Sequence, residues 1–198
     1  MMRIVIGAAV ASLVVSSAWA QQQTMRVRGT VERLDGPTLV IKTRDGEVKV
    51  NLTENAGVFG VAKASMADLK PGSFLSIGAM PQPDGSQRAI QVTVFAEVQR
   101  GTGEGHRPWD REPNSTMTNA TVDTTVAGVD GQVLTVKYKD GEKKIVVPPS
   151  ATVLRYEVGD RNELKSGADI AIIRAVKKPD GTLETDRVNV GRGGVVPQ

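Results

Sequence analysis

Cysteine is absent from this chain, and histidine occurs once, as His106. Without cysteine there can be no disulfide, no thiolate metal site and no thiol nucleophile, so packing alone must stabilise the protein. Aromatic residues are scarce, at 4% of the chain, and the formal net charge is only +3. A barrel that binds nucleic acid needs stacking aromatics along a basic groove. The composition therefore favours neither nucleic acid nor an anionic lipid surface as a partner.

Long apolar runs are absent after the first twenty residues, which have the form of a signal peptide. Arg3 supplies a positive charge, residues 4–15 are almost wholly apolar, and Ala18-Trp19-Ala20 puts small residues where a signal peptidase cuts. A membrane anchor is the alternative, but the apolar run is shorter than the roughly 20 residues of a spanning helix. We predict that residues 1–20 are removed and that the product is periplasmic or secreted, with no membrane span after cleavage.

Helical periodicity is nearly missing, and apolar residues instead alternate with polar ones. Val48, Val50 and Leu52, for example, are separated by Lys49 and Asn51, which is the period of a half-buried strand. This pattern predicts an all-β protein. The predicted strands cover residues 25–34, 38–43, 47–52, 74–80 and 89–98, and then residues 120–129, 133–138, 143–147, 170–176 and 185–190.

The sequence also repeats itself at an offset of 95 residues, which is typical of a duplicated domain. Asp35-Gly36 recurs as Asp130-Gly131, and the Pro-Asp-Gly at 83–85 recurs one residue further on. The other matches pair residues 42–47 with 137–142 and residues 69–72 with 164–167. Because the shared residues form turns and core positions, they carry folding information and little chemistry.

The order of elements in each repeat predicts a small OB-like barrel: three strands, a helical turn and two more strands. We therefore predict two tandem OB-like five-stranded barrels that arose by internal duplication. The first would span residues 21–98 and the second residues 119–198. Residues 99–118, rich in glycine, proline and charge, would connect them.

Turn chemistry supports these elements. Asp45-Gly46 and Asp140-Gly141 predict type I′ hairpins, because that turn requires positive φ. Residues 65–68 and 160–163 each predict the capped start of a helical turn. The second is the better capping box, because Glu163 can reach back to the cap amide.

The repeat unit resembles a bacterial family of exported OB-like domains of unknown function, here in tandem. The resemblance rests on the opening at residues 27–36, the Asp-Gly hairpin and the Asp-Leu-Lys-Pro-Gly at residues 68–72. The layout, including residues 103–110, is also similar to short proteobacterial proteins that have carried a metal-transporter permease name. A permease needs membrane spans, so that name implies at most an association with metal.

The candidates for metal chemistry centre on the connector. His106 is the only imidazole, and the thioethers of Met80 and Met117 could join it around Cu(I) or Ag(I). Trp109 could cover the ion by a cation–π contact. This set resembles the ligands of small periplasmic copper chaperones, whose ligands, however, lie on barrel strands.

The favoured interpretation of the same segment is structural. Trp109 would dock the connector onto a barrel, with His106 and Arg107 hydrogen-bonded at its edge and Pro108 stiffening the loop. Asp110 would belong to the same docking or binding surface.

No enzymatic motif accompanies these residues. Glu104 and Asp110 flank His106, but no Gly-x-Ser-x-Gly nucleophile is present, and the recurring aspartates precede glycine as turn residues do. We therefore predict a non-enzymatic exported envelope protein without a cofactor, which binds a protein, glycan or other envelope component through its loops and connector. The alternative is a periplasmic Cu(I) or Ag(I) accessory protein that uses His106.

Overall fold

The computed structural model describes residues 23–197, so the predicted signal peptide lies outside the described residues. These residues form an all-β protein of twelve strands with three short 3₁₀ turns, which confirms that the chain is all-β. None of the helical segments among them is long and apolar enough to cross a membrane. The strands are β1 (Thr24–Asp35), β2 (Thr38–Thr43), β3 (Gly46–Lys63), β4 (Phe74–Pro81), β5 (Gln87–Val94), β6 (Gly105–Pro108), β7 (Thr116–Gly128), β8 (Gly131–Tyr138), β9 (Gly141–Val147), β10 (Thr152–Val158), β11 (Asp169–Lys177) and β12 (Leu183–Gly191).

Five strands close into a barrel, which we call the first barrel. Its order is β1-β2-β3-β12-β11, and the β1–β11 and β3–β12 pairings complete the ring. The strands alternate between the interior and solvent, as the sequence pattern predicts. The buried core includes Val31, Leu39, Ile41, Ile170 and Ile172.

Five further strands form what we call the second ring. The order is β5-β4-β7-β8-β9, and it is joined at β5–β9 by only two residue pairs, Gln87 with Ile145 and Arg88 with Val146. The ring has a core of its own, which includes Leu75, Ile77 and Leu134. Strand β10 connects the two units, because it pairs with β3 on one side and with β5 on the other.

The closure of the first barrel differs from the sequence prediction. That prediction closes the first three strands with the next two, β4 and β5. Instead β1, β2 and β3 are closed by β11 and β12, which lie more than 100 residues further along the chain. Likewise β4 and β5 pair with β7 and β9 rather than with β1 to β3. The prediction failed because alternation identifies strands but says nothing about their neighbours.

The predicted strand at residues 47–52 is only the first third of β3, which runs on to Lys63. Strand β10 was not predicted at all. The extension of β3 beyond residue 52 was not predicted because it contains Gly57 and Gly60, and glycine is uncommon inside strands. Both glycines face crowded positions, because a Cβ at Gly60 would lie 2.1 Å from the Arg192 side chain and one at Gly57 would lie 2.8 Å from the Phe59 ring.

The turns agree with the prediction in position and differ in type. Gly46 and Gly141 have positive φ, of 123° and 155°, but neither Asp45 nor Asp140 does, so the hairpins are not type I′. The predicted helical turns are single 3₁₀ turns. In the second of them the Glu163 side chain accepts a hydrogen bond from the Asp160 amide at 3.0 Å, as the capping box predicts.

Candidate functional site

The connector is paired to the sheet. Its strand β6 lies antiparallel to the start of β7, with His106 opposite Thr118 and Arg107 opposite Met117. A carboxylate oxygen of Glu104 accepts a hydrogen bond from the Lys139 amide at 3.0 Å. These contacts hold residues 104–108 against the second ring.

Trp109 docks on the outer face of β4. Its indole packs over Gly78, where a Cβ would come within 2.4 Å of the ring. The Trp109 amide donates to the Ser115 carbonyl at 2.9 Å, and the Arg111 guanidinium lies 5.6 Å from the ring centroid. The indole is half-buried. Glycine at position 78 therefore creates the space that the docked ring occupies.

His106 lies on the inward side of β7. Its Nδ1 is 2.8 Å from the Thr118 hydroxyl oxygen, and its ring stacks against Tyr138 with centroids 6.4 Å apart. Desolvation, with a smaller effect from the charge of Lys143, lowers the pKa of His106. A neutral, hydrogen-bonded and stacked imidazole fits a packing role.

The structure does not assemble the predicted copper ligands. Met117 is adjacent to Thr118 in β7, so it points to the opposite face from His106. Its thioether accepts a hydrogen bond from the Ser76 hydroxyl at 3.0 Å. Met80 lies on that same outward face, two residues beyond Gly78, which is the partner of Met117 in β4, so both methionines face away from His106. No group of three or more His, Cys, Asp or Glu side chains within residues 23–197 could hold a metal ion.

Asp110 and Arg107 both contact other parts of the chain. Asp110 accepts a hydrogen bond from Arg26 of β1 at 2.9 Å, so the connector reaches from the second ring to the first barrel. Both side chains are exposed, and such a pair contributes at most about 1 kcal/mol. Arg107 donates to the Gly103 carbonyl at 2.8 Å.

A pocket of about 580 Å³ lies beside this crossing, and we call it the arginine pocket. Side chains of β1, β11 and β12 line it from the first barrel, and those of β4, β5 and β7 from the second ring. Tyr156 of β10, Phe95 after β5 and the connector complete the lining. Its volume is within the usual range for small-molecule sites. Six arginines line it against two carboxylates, Asp110 and Asp186; they are Arg26, Arg28, Arg107, Arg111, Arg174 and Arg187.

Like charges in this pocket disfavour one another. The Arg28 guanidinium is partly desolvated and lies near the positive charges of Arg26 and Arg111, and these effects together lower its pKa. The guanidinium nevertheless stays protonated at neutral pH. The excess positive charge has few carboxylates to neutralise it, so an anion entering the pocket would relieve the repulsion.

Buried amides with incomplete hydrogen bonding also line the pocket. Gln99, Asn119 and Asn189 are 2%, 4% and 3% exposed. Gln99 Nε2, Asn119 Oδ1 and Asn189 Oδ1 have no hydrogen-bond partner within the described part of the chain. An unsatisfied buried polar atom costs about 1–3 kcal/mol. All three atoms are themselves sealed from solvent behind the pocket wall.

Half-buried aromatic rings complete the lining. Phe95 and Tyr156 lie 5.5 Å apart between centroids, and burial raises the pKa of the Tyr156 phenol. Behind the pocket the Arg187 guanidinium lies 5.3 Å from the Phe59 ring centroid. The pocket therefore offers apolar ring surface beside its charges.

Sequence reasoning missed this pocket. The alternating pattern does place Arg26 and Arg28 on the outer face of β1, because they flank buried Val27. Four separate segments of the chain supply the six arginines, namely β1, the connector, β11 and β12, so no local motif joins them. The overall net charge is close to zero, so it gave no sign of the local excess of positive charge around the pocket.

One test of the connector is the substitution Gly78→Val. The added side chain would displace the Trp109 ring, so we expect red-shifted indole emission and faster proteolysis of the connector, at a stability cost of about 1–3 kcal/mol. The measurement uses a Trp19→Phe background, which leaves Trp109 as the one indole of the chain. Trp109→Ala is the reference for the proteolysis. Unchanged emission and unchanged digestion in Gly78→Val would contradict the docking.

No protein-family model matches this chain, and comparisons with curated proteins and with solved structures give no significant match.

Proposed function

We propose that this protein is a non-enzymatic exported protein that binds an anionic component of the cell envelope in the arginine pocket. The observation that carries the proposal is the excess of six guanidinium groups over two carboxylates around one cavity of about 580 Å³. Guanidinium groups pair well with carboxylate and phosphate groups, often through two hydrogen bonds. Export rests on the signal-peptide pattern of residues 1–20.

Binding rather than catalysis is supported by the ionisable groups of the pocket. Arginines do not exchange protons at neutral pH, so they orient and neutralise ligands but do not act as acids or bases. Asp110 is engaged by Arg26, and the raised pKa of Tyr156 keeps its phenol protonated. These groups suit electrostatic recognition.

The proposal includes the duplication, with strands exchanged between the repeats. Its support is the register of the strands. Val61 of β3 lies opposite Tyr156 of β10, and these residues are 95 positions apart. Gly57 pairs with Arg187, and Gln91 pairs with Thr152. Gly57 corresponds to Thr152 at an offset of 95 and Gln91 corresponds to Arg187 at an offset of 96, so exchanging the two repeats converts one pair into the other. A twofold relation between the repeats would have this register.

The twofold relation also accounts for the position of the pocket. Tyr156, Gln91 and Arg187 belong to the register that relates the repeats, and all three line the pocket. We therefore propose that the site formed where two like barrels meet. The connector, which has no counterpart in the other repeat, makes the site asymmetric.

Thermal unfolding in citrate tests the proposal, with sodium chloride at equal ionic strength as the reference. A citrate concentration about 100 times its Kd should stabilise the protein by about 2.7 kcal/mol, or about 5–10 °C in Tm. Arg28→Gln with Arg174→Gln should lose most of this shift. In low salt without citrate, that variant should also be more stable than the control variant described next, because the repulsion between the pocket arginines is reduced.

The matched control is Arg44→Gln with Lys165→Gln, which removes the same charge from exposed positions outside the pocket. It should keep the full citrate shift. Equal citrate shifts in the two double variants, or no shift in the unaltered protein, would contradict an anion site in this pocket.

A further inference from the structure

Strand β11 contains a β-bulge that turns two neighbouring side chains toward the arginine pocket. Its register with β1 shifts there, because two steps along β1 match three steps along β11. The extra residue interrupts the alternation, so Ile172 and Ala175 both belong to the core of the first barrel. Ile173 and Arg174, between them, are both exposed and both line the pocket. An apolar and a cationic side chain therefore lie next to each other on the pocket wall.

The Ile173 side chain leaves apolar surface open at this wall. Gly78 lies 95 positions earlier in the chain, at the offset of the sequence matches, and the Trp109 indole packs over it. Gly78 is buried under that ring, whereas Ile173 stays 40% exposed. A ligand with an apolar group can therefore cover Ile173 as the indole covers Gly78.

Other apolar side chains continue the surface that Ile173 begins. Phe95, Tyr156 and Met117 are half-buried and line the same pocket, and the first two rings lie 5.5 Å apart between centroids. The half-buried Trp109 ring adds to the lining from the connector. A small hydrophilic anion would leave this surface in contact with water, whereas an apolar group bound there removes it from water and gains affinity.

The arginines of β1 and β11 lie beside this apolar surface. Arg28 pairs with Ala171, which is two positions before Ile173 on β11, and Arg174 follows Ile173 directly. The two guanidinium groups thus come from positions on either side of Ile173 along the strand. An anion that they hold places any group attached to it next to Ile173.

We propose that the ligand of the arginine pocket is an amphiphilic anion, a phosphate or carboxylate that carries an apolar chain or ring. This inference rests on the proposed function, since it names the class of the anion. The acidic group pairs with Arg28 and Arg174, and the apolar group lies against Ile173 and the rings of Phe95 and Tyr156.

The test is calorimetry on the intact protein with two series of anions that differ in their apolar group. The phosphates are methyl, hexyl and phenyl phosphate, and the carboxylates are succinate and phenylsuccinate. At about pH 8 the members of each series carry the same charge, so the apolar group alone distinguishes them. In the series that binds, we expect an apolar member to bind about tenfold more tightly than methyl phosphate or succinate, which corresponds to burial of about 55 Å² of apolar surface. Hexyl and phenyl phosphate together show whether a chain or a ring is preferred.

The variant Ile173→Ala tests where the apolar group lies. It should reduce the tenfold preference to about threefold, whereas Val126→Ala, at a 56% exposed position outside the pocket, should keep it. Circular dichroism confirms that each variant folds. Equal binding within each series, or an unchanged preference in Ile173→Ala, would show that the amphiphile inference is wrong while the anion site stands. If no anion of either series binds, both proposals fail.

Discussion

When the chain is cut in the connector, the two fragments should remain bound to each other as one folded complex. A recognition sequence for a site-specific protease can be inserted between Glu112 and Pro113. Cleavage there gives an N-terminal fragment that ends near Glu112 and a C-terminal fragment that begins near Pro113. We expect the fragments to elute together in gel filtration at micromolar concentration and to separate only in denaturant. The reason is that β1 to β3 need β11 and β12 to close the first barrel, while β7 to β9 need β4 and β5.

The energy that holds the fragments together is large. Leu164, Ile170, Ile172 and Val188 of the second fragment are buried in the core formed with β1 to β3. Each such side chain contributes about 1.5–3 kcal/mol on burial. In the second ring the first fragment supplies β4 and β5, whose apolar side chains share a core with those of β7, β8 and β9 from the second fragment. The uncut insertion variant in the same buffer is the control. Two separately eluting, folded fragments would mean that each repeat closes on itself, as the sequence alone predicts.

The substitution Ile172→Ala should loosen strands that lie more than 100 residues away in the chain. Ile172 is fully buried in β11, so its truncation should lower the free energy of unfolding by about 2–5 kcal/mol. Because β11 pairs with β1, hydrogen exchange measured by mass spectrometry should speed up in β1 and β2 as well as in β11 and β12.

The neighbouring residue is a matched control for this experiment. Ile173 is 40% exposed, so Ile173→Ala should change stability by about 0.5 kcal/mol or less. The equivalent core substitution Ile77→Ala should instead speed exchange in β7, which pairs with β4. Exchange that changes only within residues 164–191 in Ile172→Ala would contradict the strand exchange.

The positions of most strands could be predicted because burial on one face of a sheet forces alternation in the sequence. The hairpin after β2 and the Leu-Lys-x-Gly turns could be predicted for a similar reason. Gly72 and Gly167 have φ of 85° and 87°, a conformation that costs other residues energy. These are local requirements, and a local pattern records them.

The candidate site could be predicted only in part. Trp109, Arg107 and Asp110 drew attention because the connector is the segment that the repeat does not explain, and all three line the arginine pocket. Arg174 and Arg187 gave no such signal, because an outward arginine on a strand looks the same whether it faces solvent or a pocket. Their common location follows from the way distant strands are brought together.

By itself the sequence determined an all-β chain, its turns and which side chains face inward, since each of these depends on residues a few positions apart. The tertiary structure decided which strands close which ring. Ile77 and Ile172 are 95 positions apart, which is the offset of the sequence matches, and they are equally apolar, so either could fill either core. What selects the partner is β3, which continues to Lys63 and pairs with β10. Because of this extension the chain enters β4 in the second ring and not in the first barrel. The arginine pocket forms between the first barrel and the second ring.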